Sequence, residues 1–261
     1  MELSSLSRRF GEVVDGDPVR LDLGASLIAA HADPDLDPDG VLERLDLLAA
    51  EVDSPTVAGV LGWYRESGFL GDTVTYADPR NSYLHHVLDE RRGIPISLAV
   101  VLIEVARRRG VALAGVSMPG HFLVRDLEGP TTLFDPFDGG RVLDEAEARA
   151  LHARIRGDDE GFHPSYLAPV DAVHILTRML TNLRLAFTRT QELRSLTWVL
   201  RLRTLLPTVD PDERRALASV LATQGRYLDA AELLEGLADA SDGRQEARYR
   251  SEANQLRAKL N

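Results

Sequence analysis

The sequence predicts an α+β fold in which one buried helix packs against a small antiparallel sheet, with further helices before and after this core. Two observations carry the prediction. Residues 98–106 are apolar on almost every face, and strand-like segments follow at residues 112–117, 121–125 and 131–135. The flanking regions instead place apolar residues three and four apart, which is the period of amphipathic helices.

Helices are predicted on both sides of this core. The N-terminal region predicts helices over residues 21–31 and 41–52 and a third that Ser54 caps and that ends near Ser67. The C-terminal region predicts two long helices within residues 170–206, a pair at 212–222 and 227–238, and a last helix from about Gln245. The pair resembles one tetratricopeptide unit, which is too few to form a solenoid. We therefore predict two domains, residues 1–165 and a helical region 166–261 packed on it.

Three aspartates, Asp35, Asp37 and Asp39, match the start of a calcium-binding loop, with Gly40 and Asp46 at the expected later positions. The bidentate glutamate of such loops is missing at Asp46. We therefore favour a proline-stiffened turn in which Asp39 caps the next helix, with calcium binding as the alternative.

The buried helix has clear ends. Pro95 suits its first turn, and three arginines followed by Gly110 are typical of a helix end. Glu104 is the single charge within the apolar run and requires a partner, for which an arginine is expected.

Composition excludes several function classes. The 261 residues carry a formal net charge of −11, which argues against nucleic-acid partners. The chain has no cysteine, which excludes disulfides, thiolate metal sites and a thiol nucleophile. No signal peptide or membrane-spanning run is recognisable, so we expect a cytoplasmic protein without membrane association. No cofactor or metal is predicted.

His121 and Asp135 are the strongest candidates for chemistry. A hairpin centred on Glu128 would place them directly opposite each other, with Cβ atoms about 4.5–5.5 Å apart. The carboxylate would then fix the tautomer of the imidazole, as general-base catalysis requires. Alternatively, the pair is a purely structural contact of a buried histidine.

Ser97 lies in the first turn of the buried helix and is the candidate nucleophile. A serine hydroxyl is unreactive at neutral pH unless a positioned base accepts its proton, and His121 would be that base. Alternatively, Ser97 bonds to the nearby backbone, as serines at helix starts commonly do.

Four segments in order resemble the bacterial SirB-type family: residues 76–84 (YADPRNSYL), 91–98 (RRGIPISL), 119–125 (PGHFLVR) and 134–140 (FDPFDGG). The resemblance implies a papain-like transglutaminase-type core followed by tetratricopeptide-like helices. In active transglutaminases a cysteine at the helix start attacks an amide carbonyl, and His and Asp assist it. The last two match His121 and Asp135, whereas the cysteine would fall near residues 95–97, where none is present.

The same segments contain further candidates for substrate binding. These are Asp78, Arg80, Asn81, Arg92 and Phe137, the first four predicted to line the same cleft or, alternatively, to brace the loop before the buried helix.

These observations predict a transglutaminase-like protein that lacks the cysteine nucleophile and binds a peptide or protein segment in a regulatory or noncovalent role. Two alternatives stay open. One is an amide or ester hydrolase or acyltransferase that uses Ser97, His121 and Asp135. The other is His121 as a general base without a covalent intermediate.

Overall fold

The computed structural model describes residues 4–129, 132–157, 161–208 and 210–260. Its helices are α1 (Ser5–Val14), α2 (Leu21–Ala32), α3 (Pro38–Ala50), α4 (Val57–Glu66), α5 (Leu84–Glu90), α6 (Pro95–Arg108), α7 (Glu145–Arg156), α8 (Ala172–Thr190), α9 (Leu193–Arg203), α10 (Pro211–Thr223), α11 (Tyr227–Asp239) and α12 (Gly243–Ala258). Its strands are β1 (Leu70–Gly71), β2 (Arg92–Gly93), β3 (Leu113–Val116), β4 (Leu123–Asp126), β5 (Leu133–Asp135), β6 (Arg141–Leu143) and β7 (Pro169–Val170). Short 3-10 helices occupy Pro79–Ser82, Pro136–Asp138 and Pro164–Leu167.

The chain divides into two compact units, a core unit of Pro18–Met179 and a helical unit made of Met1–Asp17 and Leu180–Asn261. This division differs from the predicted boundary after residue 165. The chain stays in the core unit beyond that point because β7 joins the sheet beside β3. The first helix, α1, was not predicted and belongs to the helical unit.

The α+β prediction for the core unit is confirmed. Strands β6-β5-β4-β3-β7 form an antiparallel sheet in that order, and β1 and β2 form a separate parallel pair. Strands β1, β2, β6 and β7 are only two or three residues long, too short to show an alternating pattern in the sequence. Thr131, predicted to begin the third strand, and Pro130 in the predicted hairpin connection lie outside the described residues.

Helix α6 is the predicted buried helix at the centre of this unit. It starts at Pro95, its residues are buried up to Ala106, and Gly110 adopts the left-handed conformation just after its end. The partners of Glu104 are arginines, as predicted, since its carboxylate accepts hydrogen bonds from Arg107 at 2.8 Å and Arg108 at 2.7 Å.

Two predicted helix caps are wrong by two residues. Asp37, not Asp39, caps α3, because the helix begins at Pro38 and the Asp37 carboxylate accepts the Asp39 N–H at 3.1 Å. Thr56, not Ser54, caps α4 by accepting the Gly59 N–H. The favoured turn interpretation requires a capping aspartate, and Asp37 has that role.

The helical unit contains the predicted pair as α10 and α11, joined through Gly225 in the left-handed conformation, and α12 packs against α11. Glu213 of α10 accepts hydrogen bonds from Arg184 and Arg203. Among the described residues, no helix is long and apolar enough to cross a bilayer.

Candidate functional site

The His121 imidazole and the Asp135 carboxylate form a buried pair in the core unit. Their Nε2 and Oδ1 atoms are 2.9 Å apart, and the two residues are 8% and 5% exposed. Asp135 ends β5, and its Oδ1 also accepts the backbone N–H of Phe137 at 3.0 Å. This second hydrogen bond holds the carboxylate in place independently of the histidine.

The register that brings these residues together differs from the predicted one. Val124 pairs with Phe134 and Arg125 with Leu133, so the hairpin is centred on Gly129 rather than Glu128. His121 therefore lies before β4, in a turn closed by the bond from its own N–H to the Met118 carbonyl. The prediction of a direct cross-strand pair is wrong. Even so, the His121 side chain reaches Asp135, at the end of β5, from this turn.

The hydrogen bond to Asp135 determines which imidazole nitrogen is available. A carboxylate accepts hydrogen bonds, so in the neutral ring Nε2 carries the proton and Nδ1 keeps a lone pair. Nδ1 can therefore accept a hydrogen bond or a proton from a bound molecule. Tyr64 of α4 supports the same region, because its buried hydroxyl donates to the Pro136 carbonyl at 3.1 Å. Burial and then the nearby Asp135 raise the pKa of Tyr64, which keeps this donor neutral.

Phe137 forms one wall of a cavity of about 740 Å³ in front of His121. Its ring centroid is 5.9 Å from that of His121 and 5.9 Å from that of Tyr76, both in edge-to-face geometry. Gly71 allows the ring to sit there, because a Cβ at this position would lie 2.4 Å from the ring. The exposed apolar residues Leu70, Tyr76 and Ile155 of α7 line this cavity together with charged side chains, namely Asp138, Arg141, Glu147 and Arg154.

Ser97 is not placed as a nucleophile for His121, which corrects the prediction. Its side chain is 0% exposed, and its hydroxyl donates to the carbonyl of Asn81 at 2.6 Å and that of Ile94 at 3.1 Å. Gly93 leaves room for this hydroxyl, since a Cβ there would lie 2.7 Å from the Ser97 oxygen. The serine therefore ties the start of α6 to the 3-10 helix Pro79–Ser82.

The polar residues predicted to share the cleft line an adjacent cavity of about 480 Å³ instead. This cavity shares Leu70, Gly71 and Thr73 with the His121 cavity. Three of its predicted binding residues hold the segment before α5. Asp78 pairs with Arg80 at 2.6 Å, and the Asn81 amide donates to Asp72 and to the Thr75 carbonyl.

Two charged residues of this cavity, Arg92 and Asp72, also form hydrogen bonds within the protein. Arg92 donates to the carbonyls of Gly68 and Arg91, so it has a structural role in place of the predicted role in substrate binding. Asp72 accepts hydrogen bonds from the hydroxyl and backbone of Thr75 and from Asn81, and these lower its pKa far below the usual range. The bracing alternative thus describes Asp78, Arg80, Asn81 and Arg92 better than substrate binding does.

Sequence reasoning missed the α7 side of the cavity, which includes Arg154 and Ile155. The signal was present. Asp144 and Glu147 form a capping box, in which each side chain accepts the backbone N–H of the other, just before a helix-forming segment. Tyr76 lies within the first of the four quoted segments but was not singled out.

The comparisons with known proteins agree with this architecture. A family model described as the transglutaminase-like superfamily matches residues 41–181. The chain belongs to this family. The match covers β1 to β7 and thus includes both His121 and Asp135.

Relatives extend the family assignment over most of the chain. A UPF0162 protein of Xylella fastidiosa is 39% identical over 191 residues, 68% of each chain. A UPF0162 protein of Pseudomonas aeruginosa is 34% identical over 177 residues, 64% of this chain and 65% of its own. Mouse F-box only protein 21 is 42% identical over 66 residues, 25% of this chain and 10% of that protein. No solved structure matches the chain significantly. The predicted SirB-type transglutaminase-like family is confirmed.

Proposed function

We propose that this transglutaminase-like protein binds an extended peptide segment noncovalently in the His121 cavity, without acyl transfer. The observation that carries the proposal concerns the start of α6. Catalytically active family members need a nucleophile at this position. The chain has no cysteine, and the Ser97 hydroxyl is buried and donates to the Asn81 carbonyl. A covalent acyl intermediate has no acceptor atom there.

The cavity has the chemistry that peptide binding requires. Two adjoining cavities share Leu70, Gly71 and Thr73, which gives an elongated surface rather than a closed pocket. Exposed apolar side chains lie along it, including Tyr76, Ile155 and the 91% exposed Val74. The imidazole Nδ1 supplies a hydrogen-bond acceptor for a peptide N–H at one position. Ligand sites usually combine apolar contacts with oriented polar groups, and the charged side chains of both linings add polar partners for a peptide backbone.

The test is a selection of random twelve-residue peptides on the purified full chain, followed by anisotropy measurements with the selected peptides. Ile155→Ser removes an apolar side chain from the rim, and Leu47→Ser is the matched control, since Leu47 is also an exposed residue on a helix of the core unit. Ile155 is 40% exposed, so completing its burial contributes about 1 kcal/mol, or roughly fivefold in affinity. We expect that loss for Ile155→Ser and no loss for Leu47→Ser. Equal affinities of both variants, or a failure to select any peptide, would overturn the proposal.

The accessible Nδ1 favours one second candidate, in which His121 is a general base that activates water. Mass spectrometry of the selected peptides after incubation distinguishes the two functions. Unchanged peptide masses support binding alone. Cleaved or deamidated peptides, produced by the wild type and not by His121→Ala or Asp135→Ala, support general-base catalysis instead.

A further inference from the structure

Arg178 of α8 is a half-buried cation without a carboxylate partner in the part of the chain that the structure describes. Its Nη1 donates to the Ser117 hydroxyl at 3.2 Å. A guanidinium has five N–H donors, so most of its capacity is unused by the residues that the structure describes. Burial lowers the pKa of Arg178, and the effect is opposed only by Tyr76. A partly desolvated positive charge of this kind is stabilised when an anion binds beside it.

The position of Arg178 relates it to the His121 cavity. Ser117 directly follows β3, and His121 is four residues further along, which places their Cα atoms at most about 14 Å apart. The turn closed by Met118 and His121 shortens this distance further. Tyr76, which lines the cavity, also interacts electrostatically with Arg178. The cation and the imidazole are therefore within reach of one short peptide.

We propose that Arg178 and the Ser117 hydroxyl bind a carboxylate group of the peptide, within about four residues of the part that contacts His121. This inference rests on the proposed function and specifies its ligand. The planar guanidinium fork matches the two oxygens of a carboxylate. The carboxylate is either the C-terminus of the peptide or an aspartate or glutamate side chain, and both have the same chemistry.

Arg154 is the competing candidate for this role, because it lines the cavity and no ion pair to it occurs among the described residues, whereas Arg141 in the same lining pairs with Glu147. It is an exposed residue, however, and water already solvates an exposed guanidinium, so a bound anion gains little there. The half-buried Arg178 is the cation with more to gain from an anion.

The first experiment probes the anion site alone. The side-chain Nε–H resonance of Arg178, assigned by its loss in Arg178→Lys, is followed by NMR during titration with N-acetylglycine and, separately, with its amide. We expect a saturable shift with the carboxylate and none with the amide. Absence of the shift, or a shift of the Arg154 resonance in its place, would overturn the inference.

The second experiment uses the selected peptides in pairs. C-terminal amidation removes one source of the carboxylate, and replacement of acidic side chains by amides removes the other. We expect one change to weaken binding at least about tenfold and Arg178→Gln to abolish that difference. Arg189→Gln, an exposed arginine on the same helix, is the control and leaves the difference intact.

The two proposals fail in different ways. If peptide affinity depends on Ile155 but is unaffected by C-terminal amidation and by replacement of the acidic side chains, the carboxylate site is wrong and peptide binding stands. If N-acetylglycine binds at Arg178 but no peptide is selected, peptide binding is wrong and the anion site stands for a smaller ligand.

Discussion

Ser97→Cys gives a direct test of whether the start of α6 can take part in chemistry. The chain has no cysteine, so the variant carries a single thiol and any labelling reports on this one position. Ser97 is 0% exposed, and the flanking Ile94 and Ile96 are 6% and 2% exposed. A reagent reaches the sulfur only after the first turn of α6 leaves the core.

The magnitude follows from these burials. Exposing two isoleucine side chains costs about 3–6 kcal/mol, so the open form is populated at roughly one part in 10² to 10⁴. We therefore expect Ser97→Cys to react with dithionitrobenzoate about 10² to 10⁴ times more slowly than an accessible thiol. Full reactivity should return in denaturant.

The reference thiol is Thr73→Cys, because Thr73 is exposed and lines both cavities. Absorbance of the released thiolate measures both rates, and circular dichroism confirms that both variants are folded. If Ser97→Cys reacts as fast as Thr73→Cys, the helix start is open to the cavity. Residue 97 would then be accessible to bound molecules, which would contradict its assignment as a buried structural residue.

Two further predictions concern packing and charge in the core unit. Gly71→Ala places a Cβ 2.4 Å from the Phe137 ring, so the ring must move. We expect the free energy of unfolding to fall by about 1–3 kcal/mol and peptide binding to weaken. Unchanged peptide binding would contradict the role of Phe137 in the cavity wall. Asp22→Asn removes a buried charge that accepts hydrogen bonds from Arg20 at 3.0 Å and Arg108 at 2.8 Å, and thermal melts at pH 7 should show a loss of about 2 kcal/mol, or roughly 4–8 °C. Burial alone would raise the pKa of Asp22, but these hydrogen bonds lower it overall, so its stabilising effect is complete above the unfolded pKa of about 4 and is lost as pH falls through the lower folded value. The difference between the wild type and Asp22→Asn should therefore shrink below pH 4, and a constant difference down to pH 2 would contradict the assigned shift.

The sequence predicted α2, α3, α4 and α6 of the core unit because their signals are local. The apolar run of α6, its proline start and its glycine end determine one helix without reference to the rest of the chain. The hairpin spacing predicted that His121 and Asp135 meet, the family resemblance matched the same two residues, and the structure places these side chains in contact.

The parts that sequence reasoning missed depend on distant contacts. The hairpin register rests on which strands pair, and a two-residue error was invisible because it preserves the sheet face. The role of Ser97 depends on the carbonyl of Asn81, sixteen residues earlier in the chain. The separation of Arg92 from the His121 cavity depends on its bond to the Gly68 carbonyl, which no local pattern indicates.

The division of the chain into nested units has a consequence for its synthesis. Helix α1 buries Phe10 and packs with α9, yet the whole core unit is translated between them. At usual elongation rates the ribosome needs roughly 10–40 s to reach α9 after α1 has been made. During that interval the core unit can complete its own fold, whereas the apolar face of α1 stays without its α9 partner.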